Sequence, residues 1–168
     1  NKIKEYLIII LPSITFSLYA FEFYLPFHHL PGEKSKIYKQ ITGKEFDLRS
    51  KIEIYNDLKK DGKDYSISTP PSTFLKENIK IFPFSGVSNS KTIFCKENGY
   101  YSIYDSDRFG FNNPDKEWDS KKIEYLLVGD SFTQGACVNR PYDIGSVLRT
   151  LSKKSALNLG YASNGPLI

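Results

Sequence analysis

The chain has no methionine, two cysteines, two histidines and one tryptophan in 168 residues. Without a methionine, Asn1 is not expected to be the natural start. Cys95 and Cys137 stand far apart and His28-His29 are adjacent, which is no recognised ligand spacing, so neither a metal site nor a cofactor is expected. Basic blocks are also missing: the net charge of +4 comes from scattered lysines. No stretch interleaves Lys or Arg with aromatics, which argues against a nucleic-acid partner. Aromatics at 15% and charges at 25% exclude a disordered segment, and the length suffices for one domain with a real core.

The longest absence is of charge. Residues 6–21 carry none, and the apolar run continues past Glu22 to Phe27. At about 1.5 Å per residue such a helix crosses a hydrocarbon core of about 30 Å. Lys2 and Lys4 precede it, favouring a cytoplasmic amino terminus. A cleavable signal peptide is the rival. Its apolar region usually spans about 7–15 residues, and Ala20 with Leu18 two positions earlier makes a poor cleavage site. A soluble core helix is disfavoured because Ile8, Ile9, Ile10, Leu11 and the aromatics cover every face. Residues 1–28 are therefore expected to be an uncleaved single-pass anchor with the remaining chain outside the cytoplasm. Glu22 can snorkel, and Tyr19, Tyr24 and His28-His29 suit a membrane–water boundary.

Residues 29–118 read as a juxtamembrane and accessory region. Residues 30–44, Lys-rich and containing Pro31-Gly32, are expected to be a linker. Leu48, Ile52, Tyr55 and Leu58 recur at helical spacing with Gly62 as a stop, predicting a helix packed by that stripe. Pro70-Pro71 forces residues 68–72 toward extended backbone. Residues 91–95 and 100–104 are β-formers around Asn98-Gly99, predicting a hairpin.

Residues 119–168 read as the start of an α/β domain. Tyr125, Leu126, Leu127 and Val128 form an apolar run expected to be a strand buried on both faces, followed abruptly by Gly129-Asp130-Ser131. A serine just past such a strand is rigidly held yet faces solvent, as a nucleophile requires. Walker A fails because Ala136 follows Gly135, and the lipase elbow fails because Thr133 stands where glycine is needed. Ile144, Val147, Leu148 and Leu151 make one helical face, and a second strand at residues 156–160 follows. Strand, helix and strand predict a βαβ unit with parallel strands and a right-handed crossover.

Gly129-Asp130-Ser131 after an apolar strand resembles the first block of the SGNH (GDSL-type) hydrolases, and residues 156–167, with Asn158, Gly160 and Gly165, resemble the second. The resemblance implies the amino-terminal part of a three-layer α/β parallel sheet. It implies that Ser131 is the nucleophile and that the backbone N–H groups of Ser131 and of Ser163, where the family usually has glycine, serve the oxyanion. If the loop demands positive φ, serine is disfavoured there and Gly165 is the alternative donor. The implied Asn-bearing loop and Asp-x-x-His base are expected beyond Ile168, since His28 and His29 sit at the end of the span. Residues 107–114, Asp-Arg-Phe-Gly-Phe-Asn-Asn-Pro, are similar to a stretch preceding the serine block in membrane-anchored bacterial members. Asp107 and Arg108 there read as a salt-bridged turn ahead of substrate contacts. The implied activity is acyl-ester hydrolysis, with envelope glycan as a substrate suggested by location. O-acyltransfer, or glycan binding without catalysis, are the alternatives. Cys95 and Cys137 are compatible with one disulfide, favoured in an oxidising compartment, or with two free thiols.

Overall fold

The uncharged run folds as one helix, α1 (Lys2–His28), of which Lys4–Leu25 is long and apolar enough to span a membrane. Tyr6, Ile8, Phe16 and Tyr19 are all exposed along it, whereas a helix serving a soluble core would bury one face. The hydroxyls of Ser13, Thr15 and Ser17 donate to the carbonyls of Ile9, Leu11 and Ser13 at 2.8–2.9 Å, which satisfies them within the helix. The computed structural model describes residues 2–28, 31–75 and 82–164, so His29 and Gly165 lie outside the described residues. The chain is mixed α/β with two small sheets, divided into Asn1–Phe46 and Asp47–Ile168.

The expected linker is instead largely helical, as α2 (Pro31–Thr42). Pro31 stands at the first helical position, where its missing N–H costs nothing and its φ is already helical. Gly43 closes the helix at φ 70°, and Tyr38 meets Phe46 edge-on at 5.6 Å.

In the second unit, Ser50 opens α3 (Lys51–Leu58) through a reciprocal box in which Ser50 and Glu53 each bond the other's backbone N–H. The expected stripe is not the packed face. Leu48 and Ile52 are 76% and 65% exposed, and Ile54 is the buried residue. Gly62 does end this segment, in the left-handed region after a single 3-10 turn. Pro70 is extended, as expected, but Pro71 starts another 3-10 turn.

The hairpin is present, shorter than expected: β2 (Lys91–Ile93) pairs antiparallel with β3 (Ile103–Asp105), Thr92 opposite Tyr104. Only Gly99 of the Asn98-Gly99 pair has positive φ, so the connection is a longer loop than a two-residue turn. A strand not anticipated, β1 (Tyr65–Ile67), adds to β2 in parallel. Cys95 and Cys137 form a disulfide across 42 residues. It ties the hairpin to the segment after the serine, where Asn98 Nδ2 also donates to the Cys137 carbonyl at 2.8 Å.

The second sheet is the expected βαβ unit. β4 (Tyr125–Leu127) runs parallel to β5 (Ala156–Asn158), joined through α4 (Ser131–Gln134) and α5 (Ile144–Ser152). Two details differ from expectation. β5 is fully buried, but β4 is not buried on both faces: Leu126 is 59% exposed and Val128 72%. They alternate onto a face that no described element covers. The predicted apolar face of α5 is also turned outward, with Ile144, Val147 and Leu151 exposed. The helix packs instead through Gly145 and Ser146 and through half-buried Arg149, whose guanidinium donates to the Ala156 carbonyl at 2.7 Å. Burial without a carboxylate in contact lowers the pKa of that guanidinium.

Candidate active site at the serine turn

Past the end of β4 the parallel ladder continues. Leu159 N–H donates to the Leu127 carbonyl at 2.7 Å and Tyr161 N–H to the Gly129 carbonyl at 3.0 Å. The two sequence blocks therefore leave the sheet side by side. Asp130, extended, caps α4 by accepting the Phe132 N–H at 3.0 Å, and Gly135 ends the turn at φ 89°. Ser131 opens this turn half-buried, and its hydroxyl makes no hydrogen bond to the described residues. Gly129 is required because a Cβ there would run into the Thr133 side chain. Gly160 is required because a Cβ would stand 2.6 Å from the Thr133 Cβ.

Ser163 lies on the second loop at φ 65°, exposed, inside a turn closed by the Asn164 N–H on the Tyr161 carbonyl at 3.0 Å. The loop thus takes the positive φ under which serine is disfavoured. The Ser163 backbone N–H is not bonded to any described group. The substitute role considered for Gly165 falls outside the described residues. Asp130 and Ser131 adjoin this loop through the ladder, but no histidine occurs after His29, so no imidazole of residues 47–168 can serve Ser131 as base.

What holds the two loops together is a buried set of side-chain amides that sequence reasoning missed. Asn158, fully buried, accepts the Gly160 N–H at 2.9 Å and donates to the Thr133 carbonyl. Gln134, also fully buried, accepts the Ala162 N–H at 2.8 Å and donates to the Tyr104 hydroxyl at 2.9 Å. Burial raises the pKa of that phenol well above the ordinary tyrosine range. Asn112 donates to the Gln134 carbonyl at 2.8 Å. Asn113 pairs with β5 as a strand would: its Oδ1 accepts the Asn158 N–H at 2.8 Å and its Nδ2 donates to the Asn158 carbonyl at 2.9 Å. The available signal was two adjacent asparagines in an aromatic stretch, which local turn chemistry explained equally well.

Asp107 and Arg108 part company. Arg108 forks onto Asp115 and Asp119, making the expected salt-bridged turn. These carboxylates raise its pKa, and Arg108 in turn lowers that of Asp115. Asp107 takes no part in this pair. It is fully buried and accepts four neutral donors: the N–H groups of Phe109 and Phe111, Asn113 Nδ2 and Trp118 Nε1, at 2.8–2.9 Å. The stretch is the brace on which β5 and the serine turn rest. Comparison of the chain with protein-family models, with curated proteins and with solved structures finds no match.

Proposed function

We propose that this chain carries the nucleophile of an SGNH-type serine ester hydrolase, its domain beginning the three-layer sheet of that family at the β4–α5–β5 unit. The observation that carries the reading is the serine turn. Ser131 opens the short helix that follows the parallel strand β4, its hydroxyl unbonded to any described residue, and the neighbouring strand leads into a loop with a positive-φ residue, Ser163, where the family has glycine. In the reaction, Ser131 Oγ attacks the acyl carbonyl while a base takes its proton. The oxyanion accepts hydrogen bonds from the Ser131 and Ser163 N–H groups, and the alkoxide leaves with the proton returned. The acyl-enzyme then passes its acyl group to water. Transfer to a sugar hydroxyl would make the protein an O-acyltransferase, and loss of the base would leave a glycan-binding relative.

The base is a requirement that residues 47–168 do not meet, and the reading assigns it to a histidine elsewhere in the protein as encoded. The apolar α1 supports a single-pass anchor, and Lys2 and Lys4 support a domain outside the cytoplasm, where acetylated envelope glycan is the substrate at hand. A fluorophosphonate probe on the naturally encoded protein should label Ser131, and Ser131→Ala should abolish the label. Undiminished labelling of the variant would overturn the assignment. A coding sequence without a further Asp-x-x-His would exclude the hydrolytic mechanism and leave the binding alternative.

A further inference from the structure

We propose that Gln134 is a positioning residue that holds the Ser163 loop against the serine turn, an inference that rests on the esterase reading for its consequence but not for its geometry. Gln134 sits three residues after Ser131 on α4 and has no exposed surface. A glutamine is buried at this depth only when its amide is engaged, and both ends are. Oε1 accepts from the Ala162 N–H, immediately before Ser163, and Nε2 donates to the Tyr104 hydroxyl of β3. Its own carbonyl is held by Asn112. One side chain thus reaches three elements: the turn bearing Ser131, the loop bearing Ser163, and the hairpin.

Backbone bonds tie the loop to the serine strand only as far as Tyr161, whose N–H meets the Gly129 carbonyl; the next turn closes on itself through the Asn164 N–H on the Tyr161 carbonyl, with Asn164 Nδ2 reaching the Phe84 carbonyl at 3.3 Å. Beyond Tyr161, the Gln134–Ala162 bond is the contact among the described residues that ties this turn, and with it the Ser163 N–H, to the helix bearing Ser131. A donor displaced by a fraction of an ångström still folds but no longer meets a developing oxyanion. Gln134 should therefore act on the reacting step and not on probe binding. Its hairpin anchor also gives the disulfide-tied sheet a part in the site.

The test uses the protein as naturally encoded, with Gln134→Leu and Gln134→Glu variants. Two readouts are taken: amide exchange at Ala162 and phosphonate labelling resolved into affinity and inactivation rate. In Gln134→Leu, Ala162 exchange should quicken by about tenfold, the effect of one lost hydrogen bond. The inactivation rate should fall about tenfold to a hundredfold at unchanged probe affinity. Glutamate keeps the acceptor for Ala162 and can take a hydrogen bond from the Tyr104 hydroxyl, so Gln134→Glu should restore both readouts to within about threefold of wild type. If Gln134→Leu fails to fold, Gln134→Asn, one methylene too short to reach Ala162, takes its place. Unchanged Ala162 exchange in a folded variant overturns the clamp. Quickened exchange with an unaltered inactivation rate overturns the positioning role. Absence of labelling in wild type overturns the esterase reading instead, and the exchange result then judges the clamp alone.

Discussion

Asp107 is a buried acid whose partners among the described residues are all neutral donors, and replacing it tests whether the brace is as central as its bonding suggests. Asp107→Asn keeps size and shape but puts an amide NH2 where one carboxylate oxygen stood. Either orientation sets that NH2 against two donors, Phe109 and Phe111 N–H on one side, or Asn113 Nδ2 and Trp118 Nε1 on the other. Hydrogen bonds to a charged acceptor contribute about 1.5–3 kcal/mol each, so losing two costs about 3–6 kcal/mol. That is a fifth or more of a typical domain stability of about 5–15 kcal/mol. Urea unfolding followed by Trp118, the only tryptophan, reads the change through a residue that itself bonds Asp107. The control is Asp115→Asn, which breaks the more conspicuous contact, a solvent-exposed fork with Arg108. It should barely move the midpoint, because exposed ion pairs exchange one solvated state for another. Should Asp115→Asn prove as damaging as Asp107→Asn, or should Asp107→Asn leave the midpoint in place, the reasoning fails.

Reduction of the Cys95–Cys137 bond releases a closure of 42 residues and should cost about 4 kcal/mol in the chain-entropy model, seen as a lower urea midpoint with tris(2-carboxyethyl)phosphine. An unchanged midpoint after confirmed reduction would refute it. Gly160→Ala must push the Thr133–Gln134 backbone of α4 aside and should destabilise the domain by about 1–3 kcal/mol, measured by thermal unfolding. Asp47, hydrogen-bonded by the side chain and backbone N–H of Arg49, has its carboxyl lowered. Such a group adds stability that is complete above the unfolded carboxyl pKa of about 3.9 and is lost as pH falls through the folded value. Denaturation midpoints should therefore hold from pH 7 to 5 and decline below pH 4, and a rise on acidification would contradict the assignment.

Much of the serine-bearing half was legible because its signals are local. Gly129-Asp130-Ser131 ends an apolar strand, and the distance to residues 156–158 admits a parallel crossover. Asn98-Gly99 likewise marked the hairpin, although only Gly99 takes positive φ. What escaped depends on contacts distant in sequence. Tyr65-Ser66-Ile67 is too short to announce a strand, and its partner Lys91-Thr92-Ile93 lies some 26 positions away. The apolar stripe of α5 predicted the wrong buried face, because small Gly145 and Ser146 and the reach of Arg149 to Ala156 decide the packing. Gln134, Asn112 and Asn113 read as ordinary polar residues until burial shows that each amide has a backbone to hold. Serine at position 163 could be flagged as a departure, but only the turn itself supplies φ 65°.

The outer flank of β5 bears on how this sheet can grow. Its outward-facing backbone is already occupied, Asn158 by the Asn113 amide and the Ala156 carbonyl by Arg149. Side chains there do the work of a neighbouring strand while offering no backbone of their own to copy, so chain addition stops on that side. On the other flank, no described strand pairs with β4, whose outward backbone groups stay open to a further ladder. The sheet therefore has a direction. Any strand that joins it, from this polypeptide or from another, enters beside β4, next to the segment that ends in Ser131, and the same flank is where unwanted association would begin.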